Sequence, residues 1–136
     1  MMRKLASLIK CEKGVGVVEF ALLLPLFLML IFSVIELGSA WYSKQMLVNA
    51  SREGARMGAL FEGVDDSEVE VFVENLLTQA GYPGAVTVTS TGANGSTGAL
   101  VTVAVSGNHN LPVLGNLVPG VPSHLTLDAT TVMRHE

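Results

Sequence analysis

Hydrophobic and polar positions along the chain change their pattern three times. From Phe20 to Ile35 sixteen residues pass without a charge, and twelve of them are Leu, Ile, Phe or Val. Extended back to Val15, the run is twenty-one residues with Glu19 as its one ionisable group. Such a helix is about 32 Å long, against a hydrocarbon core of roughly 30 Å. Twelve strongly apolar side chains at about −0.3 to −0.6 kcal/mol each outweigh one carboxylate near the end of the span, whose cost is below about 3 kcal/mol. The pattern therefore predicts a transmembrane helix over residues 15–37. Pro25 lies inside it and removes one backbone donor, so a bend is expected there.

Helical spacing then continues to about Phe61 without a break, an extension over residues 38–62. Tyr42, Met46, Ala50, Gly54, Met57 and Phe61 fall on one face. Ala50, Gly54 and Gly58 form a small-xxx-small series that permits close backbone approach. Two partners for it stay open, the chain's own C-terminal domain and a second subunit. Lys44, Arg52, Glu53 and Arg56 read as a solvated face. Trp41 and Tyr42 follow the span where amphipathic rings favour a membrane interface.

Glu62-Gly63-Val64-Asp65-Asp66 breaks the helix and opens an exported domain over 63–136. Ser67-Glu68-Val69-Glu70 has capping-box form. Val69, Phe72, Val73, Leu76, Leu77 and Ala80 follow at helical spacing until Gly81, with Glu68, Glu70 and Glu74 on the wet face. From Ala85 the period becomes two. Val86 and Val88 make one strand and Val101, Val103 and Val105 the next, around turn chemistry at Gly92–Gly98. A Pro/Gly-rich connection over 107–123, with a short helical turn at Leu114–Leu117, leads to a last strand ending near Arg134. The expected fold is α+β and pilin-like: a long N-terminal transmembrane and amphipathic helix, a second short helix, and an antiparallel meander of about three strands.

Charge adds orientation. Residues 1–13 carry Arg3, Lys4, Lys10 and Lys13 against Glu12, while the rest of the chain is acidic, giving −4 overall. The positive-inside bias places the N-terminus in the cytoplasm and the C-terminal domain outside, in a single pass. The acidic balance argues against nucleic acid as a partner. One cysteine, Cys11, excludes an internal disulfide and a cysteine zinc site. His109, His124 and His135 fall in or beside loops and termini with no metal-ligand spacing. Asp128 reads as an exposed strand position. Neither a nucleophile elbow nor a phosphate loop is present. The chemistry expected is none: no catalytic residues, no metal and no cofactor.

Two processing signals compete. Gly38-Ser39-Ala40 could end a secretory signal, but the apolar run is long for one and helical spacing continues past it. The other lies ahead of the run, in Lys13-Gly14-Val15-Gly16-Val17-Val18-Glu19-Phe20. It resembles a type IV prepilin signal, which implies removal of a basic leader, residues 1–14, between Gly14 and Val15. Glu19 would then be an intramembrane acid near a new α-amino group. Paired with the Val15 amine of a neighbouring subunit, it would set the axial register of packed helices.

The opening Gly14-Val15-Gly16-Val17-Val18-Glu19-Phe20-Ala21-Leu22-Leu23-Leu24-Pro25-Leu26 is similar to that of TadE-like pseudopilins of tight-adherence (Flp-type) pilus systems. Ile35-Glu36-Leu37-Gly38, Trp41-Tyr42 and Asn49-Ala50-Ser51-Arg52-Glu53-Gly54-Ala55-Arg56 extend the resemblance to about residue 58. The Val15-Gly16 start departs from the more usual Ala-rich one. The resemblance implies a structural minor pilin rather than an enzyme, cut by a prepilin peptidase and anchored in the bacterial inner membrane. Its partners would be other pilin and pseudopilin subunits, the inner-membrane assembly platform and the lipid bilayer, with cell adhesion and biofilm formation as the setting. It assigns Gly14 and Val15 to cleavage, Glu19 and Phe20 to assembly. A signal-anchored exported binding module or small enzyme, with the helix as a mere tether, is the reading from another class.

Overall fold

The computed structural model describes residues 12–136, with side chains from Gly14. The basic leader expected up to Gly14 lies outside the described residues for the stretch 1–11. Helix α1 spans Glu12–Leu60, α2 Asp66–Gln79, and strands β1 Val86–Thr91 and β2 Leu100–Asn110 precede a four-residue helix α3, Leu114–Leu117, and strand β3, His124–Arg134. The fold is α+β: a long apolar N-terminal helix, a short second helix, and a three-stranded antiparallel sheet in the order β1-β2-β3. The residues divide into two units at Ile35/Glu36.

In the first unit, every helical turn up to Ile35 exposes large apolar side chains, among them Val15, Phe20, Leu22, Leu26, Phe27 and Leu30. A water-soluble surface does not carry an apolar patch of that extent. This long apolar helix fits a single-pass membrane anchor. Pro25 sits inside α1 without ending it.

The second unit begins at Glu36. The buried positions of α1 here are Glu36, Ala40, Ser43, Met46, Leu47, Ala50, Ser51, Gly54, Ala55, Gly58 and Ala59, steps of three and four that trace one stripe. The stripe is rotated from the expected face: Tyr42 and Phe61 are exposed, while Ser43 and Leu47 take the interior. Small residues dominate it for a steric reason. A methyl group on Gly54 would collide with Val73 and lie 3.5 Å from Val69 and Val103; one on Gly58 would meet Val101 at 3.0 Å and Ala93 at 3.3 Å. Ala50, Gly54 and Gly58 thus bring α1 against the chain's own α2 and β2.

Helix α2 does open with a capping box, two residues earlier than the sequence suggested. Asp65 is the N-cap: its Oδ1 accepts from Glu68 N at 2.9 Å, and Glu68 Oε2 accepts from Asp65 N at 3.3 Å. Ser67 instead donates to Asp65 Oδ1 at 2.6 Å. Val69, Val73 and Leu77 face inward, and Gly81, at φ +75°, turns the chain out of the helix, a conformation that costs glycine least. Glu70 leaves the wet face it was assigned, because its Oε1 accepts from Ser90 N at 2.9 Å. Asp66 accepts from Ser90 Oγ and Ala93 N at 2.9 Å and Gly92 N at 3.2 Å. These carboxylates fasten α2 to the end of β1.

In the sheet, Val88 pairs with Val105, which in turn pairs with Ala129. Odd-numbered residues of β2 from Val101 to His109 are buried, and Leu127 and Ala129 continue the same face in β3. The core is therefore valine, alanine and leucine: Leu47, Val69, Val73, Leu77, Val101, Val103 and Val105 are essentially inaccessible, each worth roughly 1.5–3 kcal/mol of apolar burial.

Candidate functional site

The residues singled out for processing and assembly lie in the first unit. Gly14 and Val15 lie within α1, close to the limit of the described residues. Space for a side chain is open at both Gly14 and Gly16. Val15, Glu19 and Phe20 are exposed. Val15 and Glu19 are separated by four positions, so they share one helix face a turn apart. Among the described residues no group of three or more His, Cys, Asp or Glu is placed to hold a metal ion.

A polar seam that spacing did not single out occupies the first two turns of the second unit. Glu36 is buried, and its two carboxylate oxygens accept from the backbone N–H groups of Val113 at 2.5 Å and Leu114 at 2.9 Å. One turn on, His109 lies between two serines of α1. Its Nε2 is 3.1 Å from Ser39 Oγ and its Nδ1 3.0 Å from Ser43 Oγ. Ser39 Oγ already donates to Glu36 O at 2.8 Å, so it accepts from Nε2–H. In the tautomer with its proton on Nε2, Nδ1 accepts from Ser43 Oγ, and both ring nitrogens are hydrogen-bonded. Further along α1, the Lys44 ammonium donates to Asp128 O, and Ser51 Oγ meets Thr131 Oγ1 at 2.8 Å.

His109 corrects an expectation. It is a buried residue of β2 rather than a loop residue, and His124 is the first residue of β3. The signal was available: His109 continues the odd-numbered alternation of Val101, Val103 and Val105, and parity alone places it inward. Likewise Glu36, Ala40, Ser43 and Leu47 are one helical stripe interrupted by polar groups. Both ring nitrogens of His109 are occupied by serines and neither by a carboxylate, so no orienting acid completes a nucleophile arrangement.

Outside the seam, two ionisable groups are displaced from their ordinary behaviour. The Ser67 hydroxyl, with the Glu68 N–H, holds the Asp65 carboxyl below the usual range. Burial pushes the Tyr82 phenol up, where its ring lies over Gly107. At the far end of α1, Met57, Leu60, Phe61, Val64 and Phe72 line an apolar cleft rimmed by Glu53 and Arg56. That ion pair, 3.7 Å apart and well exposed, is worth little in water.

The family model described as TadE-like protein matches residues 14–56, about a third of the chain, consistent with a TadE-like pseudopilin. That family is pilus-associated and structural, which makes the chain a candidate pilus-associated membrane protein. No curated protein and no solved structure matches it.

Proposed function

We propose that this chain is a minor pilin, a membrane-anchored structural subunit for assembly of a tight-adherence (Flp-type) pilus. The observation that carries the reading is the TadE-like match over residues 14–56, which contains Gly14, Glu19 and Phe20 ahead of the apolar run. In this reading a prepilin peptidase cuts between Gly14 and Val15 on the cytoplasmic side of the inner membrane, and residues 15–37 remain as the anchor. Two glycines support the cut: a protease needs extended backbone, and Gly14 and Gly16 each weaken the helix by about 1 kcal/mol relative to alanine.

After cleavage the Val15 amine and the Glu19 carboxylate of an adjacent subunit neutralise each other within the apolar layer, which fixes the axial register between helices. Residues 38–62 and the domain 63–136 then lie outside the membrane and meet other pilins, pseudopilins and the assembly platform. N-terminal sequencing of the mature protein tests the reading. A start at Val15 is expected; a start at Trp41 or an intact Met1 overturns it. Glu19→Ala is expected to insert normally and to lose co-purification with pilin subunits, and unchanged co-purification removes the register role.

A further inference from the structure

We propose that the groove between the C-terminal end of α1 and the first turns of α2 docks a cationic amphipathic helix of another protein. Every residue involved belongs to the second unit, so the groove exists with or without the proposed cleavage. Met57, Leu60, Phe61, Val64 and Phe72 line it. Val71 and Asn75 continue it along α2, past Met57, Val64 and Phe72, which both stretches share. Four large apolar side chains stand open here: Leu60 is 48% exposed, Phe61 62%, Val71 56% and Phe72 36%. The chain's own core has no room for the first two. At their height the inward residues of α1 are Gly58 and Ala59, and even a methyl on Gly58 would meet Val101 at 3.0 Å. A contiguous exposed patch of this kind marks an interaction surface.

Charge selects the partner. From Arg52 to Asn75 the chain carries seven acids against Arg52 and Arg56, a net −5, and Arg56 is already paired with Glu53. Asp66 and Glu70 are turned onto the end of β1, and Asp65 and Glu68 cap α2. Glu62 and Glu74 are exposed and form no ion pair among the described residues. An acidic rim attracts a cationic surface and repels the same face of a second copy. Nor does another face of a second copy offer a basic cluster. The second unit has four Lys and Arg: Lys44 donates to Asp128 O, Arg134 to Gly98 O and Arg56 to Glu53, which leaves Arg52, next to the groove itself.

Local structure selects a helix. The walls of the groove are side chains of two helices, whose backbone groups are hydrogen-bonded along their own axes. A strand has no edge to add to here, whereas an apolar groove between helices takes the apolar face of a third. Two turns of such a helix, about 11 Å, present apolar side chains to Leu60, Phe61, Val71 and Phe72, and lysine or arginine on its flanks falls beside Glu62 and Glu74.

The test uses the full chain in a neutral detergent, with Cys11→Ser as background and a fluorophore attached through Asn75→Cys in the groove. A control label goes in through Thr87→Cys, an exposed position of β1 on the sheet face opposite the buried Val88. The probe is a synthetic leucine/lysine amphipathic helix of about 18 residues, about 27 Å long, carrying a nitroxide; its counterpart has glutamate in place of every lysine. The lysine helix is expected to quench the label at 75 saturably, to leave 87 unquenched, and to weaken as salt rises. Phe61→Ser should weaken it roughly tenfold or more. Glu62→Gln with Glu74→Gln, both at exposed positions that leave the fold intact, should weaken it several-fold. Quenching that is equal at 75 and 87 overturns the groove, as does binding that Phe61→Ser leaves unchanged. Equal affinity for the glutamate helix, or no effect of the two glutamine substitutions, overturns the cationic partner. Self-quenching at 75 between labelled copies without any probe overturns the proposal in favour of a second copy.

Discussion

Gly54→Ala is the sharpest probe of how α1 packs, because two physical effects on one substitution have opposite signs. Replacing a helical glycine by alanine gains about 1 kcal/mol of helix propensity. At Gly54, however, the new methyl would strike Val73 Cγ2 and press on Val69 and Val103. All three valines are fully buried. Val73 sits in α2, where a β-branched side chain has essentially one rotamer available, so it relieves the clash only by moving the helix. Overpacking of this kind costs about 1–3 kcal/mol, and the net expectation is destabilisation by roughly 1 kcal/mol. Gly38 is the internal control, since a methyl there meets nothing within 4 Å and should stabilise by about 1 kcal/mol. Gly58, with its nearest neighbour at 3.0 Å, should fall between them. For a unit of about 100 residues each kcal/mol moves the midpoint by roughly 4–8 °C. Calorimetry of the full chain in detergent micelles should therefore rank Gly38→Ala above wild type and Gly54→Ala below it. If Gly54→Ala unfolds above wild type by the same increment as Gly38→Ala, the close approach of α1 to α2 and β2 is wrong.

Two other substitutions test the polar contacts. Ser43→Ala leaves Nδ1 of the buried His109 without its donor and should cost about 1–3 kcal/mol; an unchanged denaturation midpoint would show that water or another group satisfies the ring. Asp65→Ala should lower the midpoint at neutral pH by removing the N-cap of α2. Because its folded-state pKa is depressed, the contribution of Asp65 is full above the ordinary carboxylate range and is lost as pH falls through the lower folded value. The gap between wild type and Asp65→Ala should therefore close below about pH 3.9, and a gap that widens on acidification contradicts the cap.

Period and parity made most of the fold legible. The apolar run, the helix continuing to Leu60, the second helix ending before Gly81, the hairpin and the helical turn at Leu114–Leu117 are all written in local spacing. What escaped was information carried by partners. Asp65 and Ser67 both satisfy the local signature of an N-cap, and hydrogen bonding chooses between them through the Glu68 side chain that reaches back to Asp65 N. Which stripe of α1 turns inward was equally hidden. Tyr42 and Phe61 are more hydrophobic than Ser43 and Ser51, yet the serines are buried, because close approach to β2 and α2 admits small side chains and excludes rings.

The same contrast explains how an anchor helix and a small domain share one α-helix. Up to Ile35 large apolar side chains are exposed on all faces of the helix, which suits lipid or the matching surface of another such helix. From Glu36 the same helix reserves one stripe for alanine, serine and glycine, and polar side chains fix its place on the sheet at several heights. Glu36 holds the β2–β3 connection, Ser39 and Ser43 hold His109, Lys44 holds Asp128 O and Ser51 holds Thr131. Valines and alanines alone would allow the helix to slide along the sheet at little cost, since one small apolar contact replaces another. Moving α1 by a turn would instead strand a buried carboxylate, a buried imidazole and their donors together, each at about 1–3 kcal/mol or more. The polar seam therefore supplies register, while the apolar stripe supplies most of the burial.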